Sequence, residues 1–203
     1  MRRRASGLIR DTGRGHEAAI LRAALEAFAA KGFNGTSMRE VAHSAGTSLS
    51  NLYNYFPSKG HLLAELLQRA GDEQLSRVRD AAAGGSATER LDAVVRAHIG
   101  FSTEHQLAAL VALSEVRYLV GEQRTRVVRA RDAVLATVAR IVADGAASGE
   151  FGTPHPHDAA RAIVAMCSSV ATWYRPRGRL SRKALAEQHA RYALALLEAD
   201  ALG

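Results

Sequence analysis

The sequence predicts an all-α protein of about nine helices, and three observations carry that prediction. Apolar residues recur at helical spacing along nearly the whole chain, and no stretch alternates with period two. Only four prolines occur in 203 residues, and Pro57, Pro154, Pro156 and Pro176 all sit where a helix should start or stop. The clearest run of small residues is Ala83-Gly84-Gly85-Ser86, so the breaks are few and the helices long.

The first helix is expected from Gly15 to Lys31, with Ile20, Leu21, Ala24, Leu25 and Phe28 on one face and Gly32 as its stop. A short helix follows from Met38 to Ala45. Its start reads Ser37-Met38-Arg39-Glu40, an S-x-x-E pattern in which hydroxyl and carboxylate satisfy orphan amides reciprocally. Gly46 ends it, Ser48 caps a third helix, and Pro57 stops that helix after Phe56. A long helix from Ser58 to Ala83 places Leu62, Leu63, Leu66 and Leu67 inward. Beyond the Gly-Gly break, helices are expected at Thr88 to Ser102, His105 to Val120, Gln123 to Ala147, His157 to Tyr174 and Ser181 to Ala199, with 148–156 a loop. No internal repeat is evident.

Composition narrows the class. At 47% hydrophobic and 23% charged residues the chain is an ordinary globular protein with enough length for a real core. One cysteine, Cys167, excludes an internal disulfide and a Cys-rich zinc site, which points to a reducing compartment. No run of 18 uncharged apolar residues exists, and no apolar stretch follows the basic Arg2-Arg3-Arg4, so a soluble, cytoplasmic protein without a membrane partner is expected. The formal charge is +7, but its position says more than its size. Residues 1–60 hold nine Lys/Arg against four Asp/Glu, whereas 61–203 hold 18 against 16. A basic module precedes a nearly neutral body.

Within that module, two short helices joined at a glycine inside a three-helix unit make a helix-turn-helix. The second helix must present short polar side chains to a major groove about 12 Å wide while the first braces it. Val41, Ala42 and Ala45 supply the braced side, and Leu49 and Leu52 the apolar side of the second helix. Opposite lie Thr47, Ser48, Ser50, Asn51 and Asn54. Tyr53 and Tyr55 suit phosphates and sugars, Lys59 suits a phosphate at the next helix's first turn, and Thr36, Ser37 and Arg39 stand at the start of the first short helix. These eleven residues are the candidate DNA contacts, with double-stranded operator DNA as the partner.

Residues 15–63 resemble the DNA-binding domain of TetR-family transcriptional regulators. The resemblance rests on Lys31-Gly32-Phe33, Gly35-Thr36-Ser37, Glu40-Val41-Ala42, Ala45-Gly46, and Leu52-Tyr53-Asn54-Tyr55-Phe56 followed by Ser58-Lys59. It implies a homodimer with two N-terminal DNA-reading heads (1–60), an all-α ligand-binding and dimerisation body (61–203), and release of DNA when a small molecule enters the body. Many relatives carry a Gly-Thr or similar small pair where this chain has Ser50-Asn51, and Asn51 suits bidentate reading of adenine. The arm Arg2-Arg3-Arg4 either reaches a phosphate or minor groove or remains a solvated tail.

For the body, an effector cavity is expected among His98, Phe101, Arg117, Tyr118, Met166, Val170, Trp173 and Arg177, with ordinary core packing as the competing account. The stretch Ala171 to Ser181, with its arginines at 175, 177 and 179 beside Trp173, together with Glu115-Val116-Arg117-Tyr118-Leu119, Arg131-Asp132 and Gly149-Glu150-Phe151, more loosely resembles the acyl-CoA-sensing branch of the family. That resemblance implies an effector with an apolar acyl or ring portion and a phosphate-bearing end, which guanidinium forks pair with. A hydrophobic drug or aromatic compound is the alternative effector. Dimerisation is expected from the last two helices, through Ile163, Val164, Cys167, Val170 and Ala171, then Leu185, Tyr192, Leu194, Leu196 and Leu197.

Other patterns carry less. Gly13-Arg14-Gly15-His16-Glu17-Ala18 matches G-x-G-x-x-A, but no strand precedes it. His155, His157 and Asp158 share a loop where helix capping competes with metal binding, and capping is favoured. No catalytic residue, metal site or cofactor is expected. A helical enzyme and a constitutive DNA-binding protein stand as the rival functional classes.

Overall fold

The computed structural model describes residues 15–199. Among these the chain forms nine α-helices: α1 (Gly15–Gly35), α2 (Met38–Ser44), α3 (Leu49–Tyr55), α4 (Lys59–Ala81), α5 (Ala87–Glu104), α6 (Gln106–Ser114), α7 (Gly121–Ser148), α8 (Pro156–Trp173) and α9 (Arg182–Leu196), with a 3-10 turn at Val116–Tyr118 between α6 and α7. No strand occurs among the described residues, and no helix there is long and apolar enough to cross a membrane. The arm Arg2-Arg3-Arg4 lies outside the described residues.

Two compact units emerge. The first holds the described residues up to Glu73 together with Leu107–Arg129, and the second holds Gln74–Gln106 with the described residues from Ala130 onward. The chain passes from one unit to the other within α4, at the start of α6 and within α7, so the compact units do not follow a single cut near residue 60.

In the first unit, α1 is amphipathic as expected, with Ile20, Leu21, Ala24 and Phe28 at most 2% exposed. It kinks at Gly32 (φ 70°, ψ 174°), a left-handed conformation open to glycine, and one more turn carries it to Gly35. α1 packs on α2, and α2 on α3. Ser37 caps α2 by accepting from the Glu40 amide, but the reciprocal half of the box is absent because the Glu40 carboxylate pairs with Lys31 instead. Gly46 (φ 67°) makes the turn, and Ser48 caps α3 by accepting from Asn51 N at 3.1 Å.

In the second unit, α5 packs chiefly against α9 and then against α8. Leu91, Val95, Ile99, Ile141, Ile163 and Val170 are at most 1% exposed, each worth about 1.5–3 kcal/mol of apolar burial. The full capping box lies here: the Ser86 hydroxyl accepts from Glu89 N while the Glu89 carboxylate accepts from Ser86 N. Helix α5 therefore starts at Ala87, one residue before the sequence expectation. The Glu150 carboxylate accepts from Ala87 N (3.1 Å) and Thr88 N (2.9 Å), and these backbone bonds hold its pKa down to about 2.

Two helix boundaries differ from expectation for identifiable reasons. The helix expected to reach Val120 ends at Ser114, and past Glu115 the chain tightens into the 3-10 turn, with Tyr118 N donating to Glu115 O. Helix α8 starts with Pro156 in its first turn, and His155 precedes it with no side-chain cap. The N-cap position thus falls to His155 rather than to His157 or Asp158, which lie exposed in the first turn.

Candidate nucleic-acid interface

The head is assembled from residues that brace and residues that face outward. Leu52 is fully buried and Val41 and Ala42 are at most 2% exposed, which fixes α3 on α2 by its apolar side. Ser50, Tyr53 and Asn54 are exposed on the other side of α3, as is Arg39 on α2, while Tyr55 is half-buried. Asn51 is also half-buried, and its Nδ2 donates to Thr47 Oγ1 at 2.7 Å. Part of the donor capacity available to a base is thereby engaged within the turn. Ser37 and Ser48 spend their hydroxyls as helix caps while remaining exposed.

Thr36 and Lys59 take interior positions. Thr36 is 2% exposed, and its hydroxyl donates to Gly32 O at 2.8 Å. Lys59 Nζ donates to Phe33 O (2.6 Å) and Thr36 O (2.7 Å) and lies 4.4 Å above the Phe33 ring. An ammonium on carbonyls left open at the end of a helix both satisfies them and opposes the negative end of the helix dipole. The α4 start is thereby fixed to the α1 end, which sets where α2 begins.

Sequence reasoning passed over Glu115 as a contact of this region. It is 7% exposed and accepts from Phe33 N at 2.8 Å. The kink at Gly32 takes that amide out of the α1 ladder, so a partner from elsewhere is required. Tyr118 stacks on Phe33 with centroids 5.1 Å apart, and Arg117 lies near the Tyr118 ring while donating to Ser114 O. Both residues were expected at the effector, and both lie in the first unit.

The other effector candidates fall in the second unit, but not as one set. His98 is 2% exposed, its Nε2 is 2.8 Å from Gln74 Nε2 and 3.2 Å from Ser168 Oγ, and burial pushes its pKa down to about 4. Neutral imidazole with Nε2 accepting from Gln74 suits that setting. Phe101 and Val170 are buried and Met166 is half-buried. Trp173 is 50% exposed and stacks on His189, and Arg177 is exposed in the turn before α9. Gln74 and Ser168 gave no sequence signal, because neither belongs to a motif.

The expected dimer residues also divide. Ile163, Cys167, Val170, Ala171, Leu185 and Leu197 are at most 1% exposed in the chain's own core, which corrects their assignment to an exposed face. Tyr192 and Leu196 remain 49% and 46% exposed, and Trp173, expected at the effector instead, is 50% exposed beside them. Trp173 and Tyr192 flank His189, with centroids 6.0 and 5.8 Å from it, and Leu196 follows Tyr192 by one helical turn.

Comparison with known proteins agrees with this geometry. Residues 20–66 match the family of bacterial regulatory proteins of the tetR type, and residues 84–197 match a tetracyclin repressor-like C-terminal domain. The HTH-type transcriptional repressor KstR2 of Rhodococcus jostii (strain RHA1) is 25% identical over 178 residues, covering 86% of this chain and 87% of that protein. A bacterial regulatory protein in the tetR family from Rhodococcus RHA1 superposes with a TM-score of 0.86 at 27% identity, over 92% of this chain and 98% of that one. AibR, crystallised in complex with isovaleryl coenzyme A and operator DNA, shares the fold with a TM-score of 0.78 at 24% identity, over 92% and 100% of the two chains.

Proposed function

The chain belongs to the TetR family of bacterial transcriptional regulators, and from that premise we propose that it is a homodimeric, ligand-responsive repressor that releases its operator when a small molecule binds. Members of the family are regulators rather than enzymes. Residues 1–60 serve as the DNA-reading domain and 61–203 as the effector and dimerisation domain. The observation that carries the reading is α3, whose exposed Ser50, Tyr53 and Asn54 stand opposite a fully buried Leu52. A helix anchored by one face and neutral and hydrogen-bonding on the other is equipped to read base edges.

The test is selection of a duplex from a random-sequence pool, followed by gel shifts with Tyr53→Ala and Asn54→Ala. Each substitution should weaken binding about tenfold, in line with 1–3 kcal/mol for a specific base interaction. Unchanged affinity in both variants would remove α3 from the interface.

The dimer face is proposed as Trp173, Tyr192 and Leu196, an exposed apolar cluster supported by its ring contacts to His189. Tyr192→Glu should convert a dimeric mass in solution to a monomeric one. The effector is proposed as an acyl-CoA thioester. Kinship of fold with a protein that binds isovaleryl coenzyme A and the exposed arginines 175, 177 and 179 support it. Isothermal titration with a series of acyl-CoAs tests the proposal, and heat from a CoA-free aromatic compound alone overturns it.

A further inference from the structure

The first turns of α7 carry cations that no acid answers. Arg124, Arg126 and Arg129 are exposed, and among the described residues none of them makes an ion pair. Glu122 is the one acidic residue from 116 to 131, and it stands a turn before Arg126 without pairing with it. Other cations of the first unit are spent within it. Lys31 pairs with Glu40, Arg69 with Glu17 and Glu65, and Lys59 turns inward to Phe33 O and Thr36 O.

This stretch lies in the same compact unit as the recognition helix, because Leu107–Arg129 clusters with the described residues up to Glu73. Within the unit α7 begins beside the start of α4: a Cβ built on Gly60 stands 3.6 Å from Gln123 Oε1. Helix α4 itself starts at Lys59, four residues after α3 ends at Tyr55. Arg126 follows Gln123 by one turn on the same face, and Arg129 follows Arg126 by one more, whereas Arg124 lies about 160° round the helix from Arg126.

We propose that the start of α7 is a second phosphate-binding surface, on which Arg126 and Arg129 take the backbone of the duplex read by α3. This rests on the DNA-binding reading above. Three residues of helix rise about 4.5 Å, close to the roughly 3.4 Å of axis that each phosphate of one strand occupies, so the pair matches neighbouring phosphates. Their guanidinium forks suit phosphate oxygens. A second copy of the same face would set arginine against arginine, which disfavours a symmetric contact between protomers. The surface also supplies, next to α4, the phosphate contact that the buried Lys59 does not make.

The experiment uses the full-length protein and a duplex selected by the wild type from a random pool, extended by about 10 base pairs on each side. Affinity is measured by gel shift across a salt series. Arg126→Gln/Arg129→Gln lowers the log–log salt slope by about 1.8, at 0.9 per phosphate, a loss of about thirtyfold at 0.15 M salt for curves that converge at 1 M. The order of preference among altered duplexes stays as it was, because phosphates carry no sequence information. Arg126→Lys/Arg129→Lys, which keeps both charges, keeps the slope. Arg124→Gln/Arg161→Gln removes the same charge from elsewhere on the surface and shifts the slope by less than about 0.5.

An unchanged slope in Arg126→Gln/Arg129→Gln overturns the proposal and leaves the two arginines to an acidic protein partner. An equal fall in the control pair overturns it by making the effect one of overall charge, and a changed order of duplexes overturns it by placing α7 at the bases. Should the glutamine pair fail to fold by circular dichroism, the single variants decide, each lowering the slope by about 0.9. Failure to select any duplex refutes the DNA-binding reading first, and is distinguished by that from failure of the α7 contact.

Discussion

Two glycine-to-alanine substitutions in the second unit should shift stability in opposite directions. A Cβ built at Gly145 in α7 lies 2.2 and 2.4 Å from Cδ2 and Cε2 of Phe151 and 2.9 Å from the Ala87 Cβ, against about 3.5–4.0 Å for a comfortable carbon contact. Phe151 has little freedom to withdraw. It is 3% exposed, its amide donates to Gly145 O at 3.1 Å, and the neighbouring Gly152 amide is bonded to Leu197 O. Overpacking of this kind costs about 1–3 kcal/mol, offset by up to about 1 kcal/mol for the better helix propensity of alanine. The expected net loss for Gly145→Ala is about 1–2 kcal/mol, or a fall in Tm of about 2–8 °C for a chain of this size. At Gly100 in α5 a Cβ meets nothing within 4 Å, so Gly100→Ala should be neutral or raise Tm. Thermal and urea melts followed by far-UV circular dichroism measure both. Equal shifts in the two variants, or a stabilised Gly145→Ala, would refute the packing argument.

Acid sensitivity should have two separable parts. Glu150, held near pKa 2 by the α5 amides against 4.5 unperturbed, contributes stability that is complete above about pH 4.5 and is lost as pH falls toward 2, so Glu150→Gln should flatten that limb of a stability–pH curve. His98, pushed to about 4 from 6.5 by burial, stays neutral while the unfolded chain takes up a proton, so stability falls between pH 6.5 and 4 by on the order of 3 kcal/mol, a limb that His98→Asn should erase. Lys59→Met should cost the head about 1–3 kcal/mol by stripping a charged donor from Phe33 O and Thr36 O, with faster amide exchange over residues 33–38 as the specific readout.

Much of the architecture was readable in the residues because helical periodicity and caps are local. Leu62, Leu63, Leu66 and Leu67 announce the buried face of α4, and Ser48 and Pro57 bracket α3. What escaped was decided by partners distant in the chain. The S-x-x-E pattern at Ser37 and the one at Ser86 look alike, yet only Glu89 is left to close its box, since Lys31 draws Glu40 away. The contact of Glu115, just past α6, with an amide 82 positions back is written in neither segment alone. Tyr118 and Trp173 both read as aromatic side chains for a ligand, but one stacks on Phe33 and the other is half-exposed beside His189. The outward face of α3 was legible because alternation between Leu52 and its polar neighbours is written within one turn of helix.

The inward turn of Lys59 also changes what the basic excess of residues 1–60 can do. Two of its three donors are committed to backbone carbonyls, and Lys31 is paired with Glu40. Arg22 and Arg39 are the exposed cations left in the described head, whereas five of the nine basic residues, Arg2, Arg3, Arg4, Arg10 and Arg14, precede α1 in sequence. On the proposed DNA-binding reading, attraction to phosphate would draw largely on residues before α1, and discrimination among bases on α3. Removing residues 1–14 should make affinity less sensitive to ionic strength, by about 0.9 in log–log slope for each phosphate no longer neutralised, while the ranking of duplex sequences stays as it was.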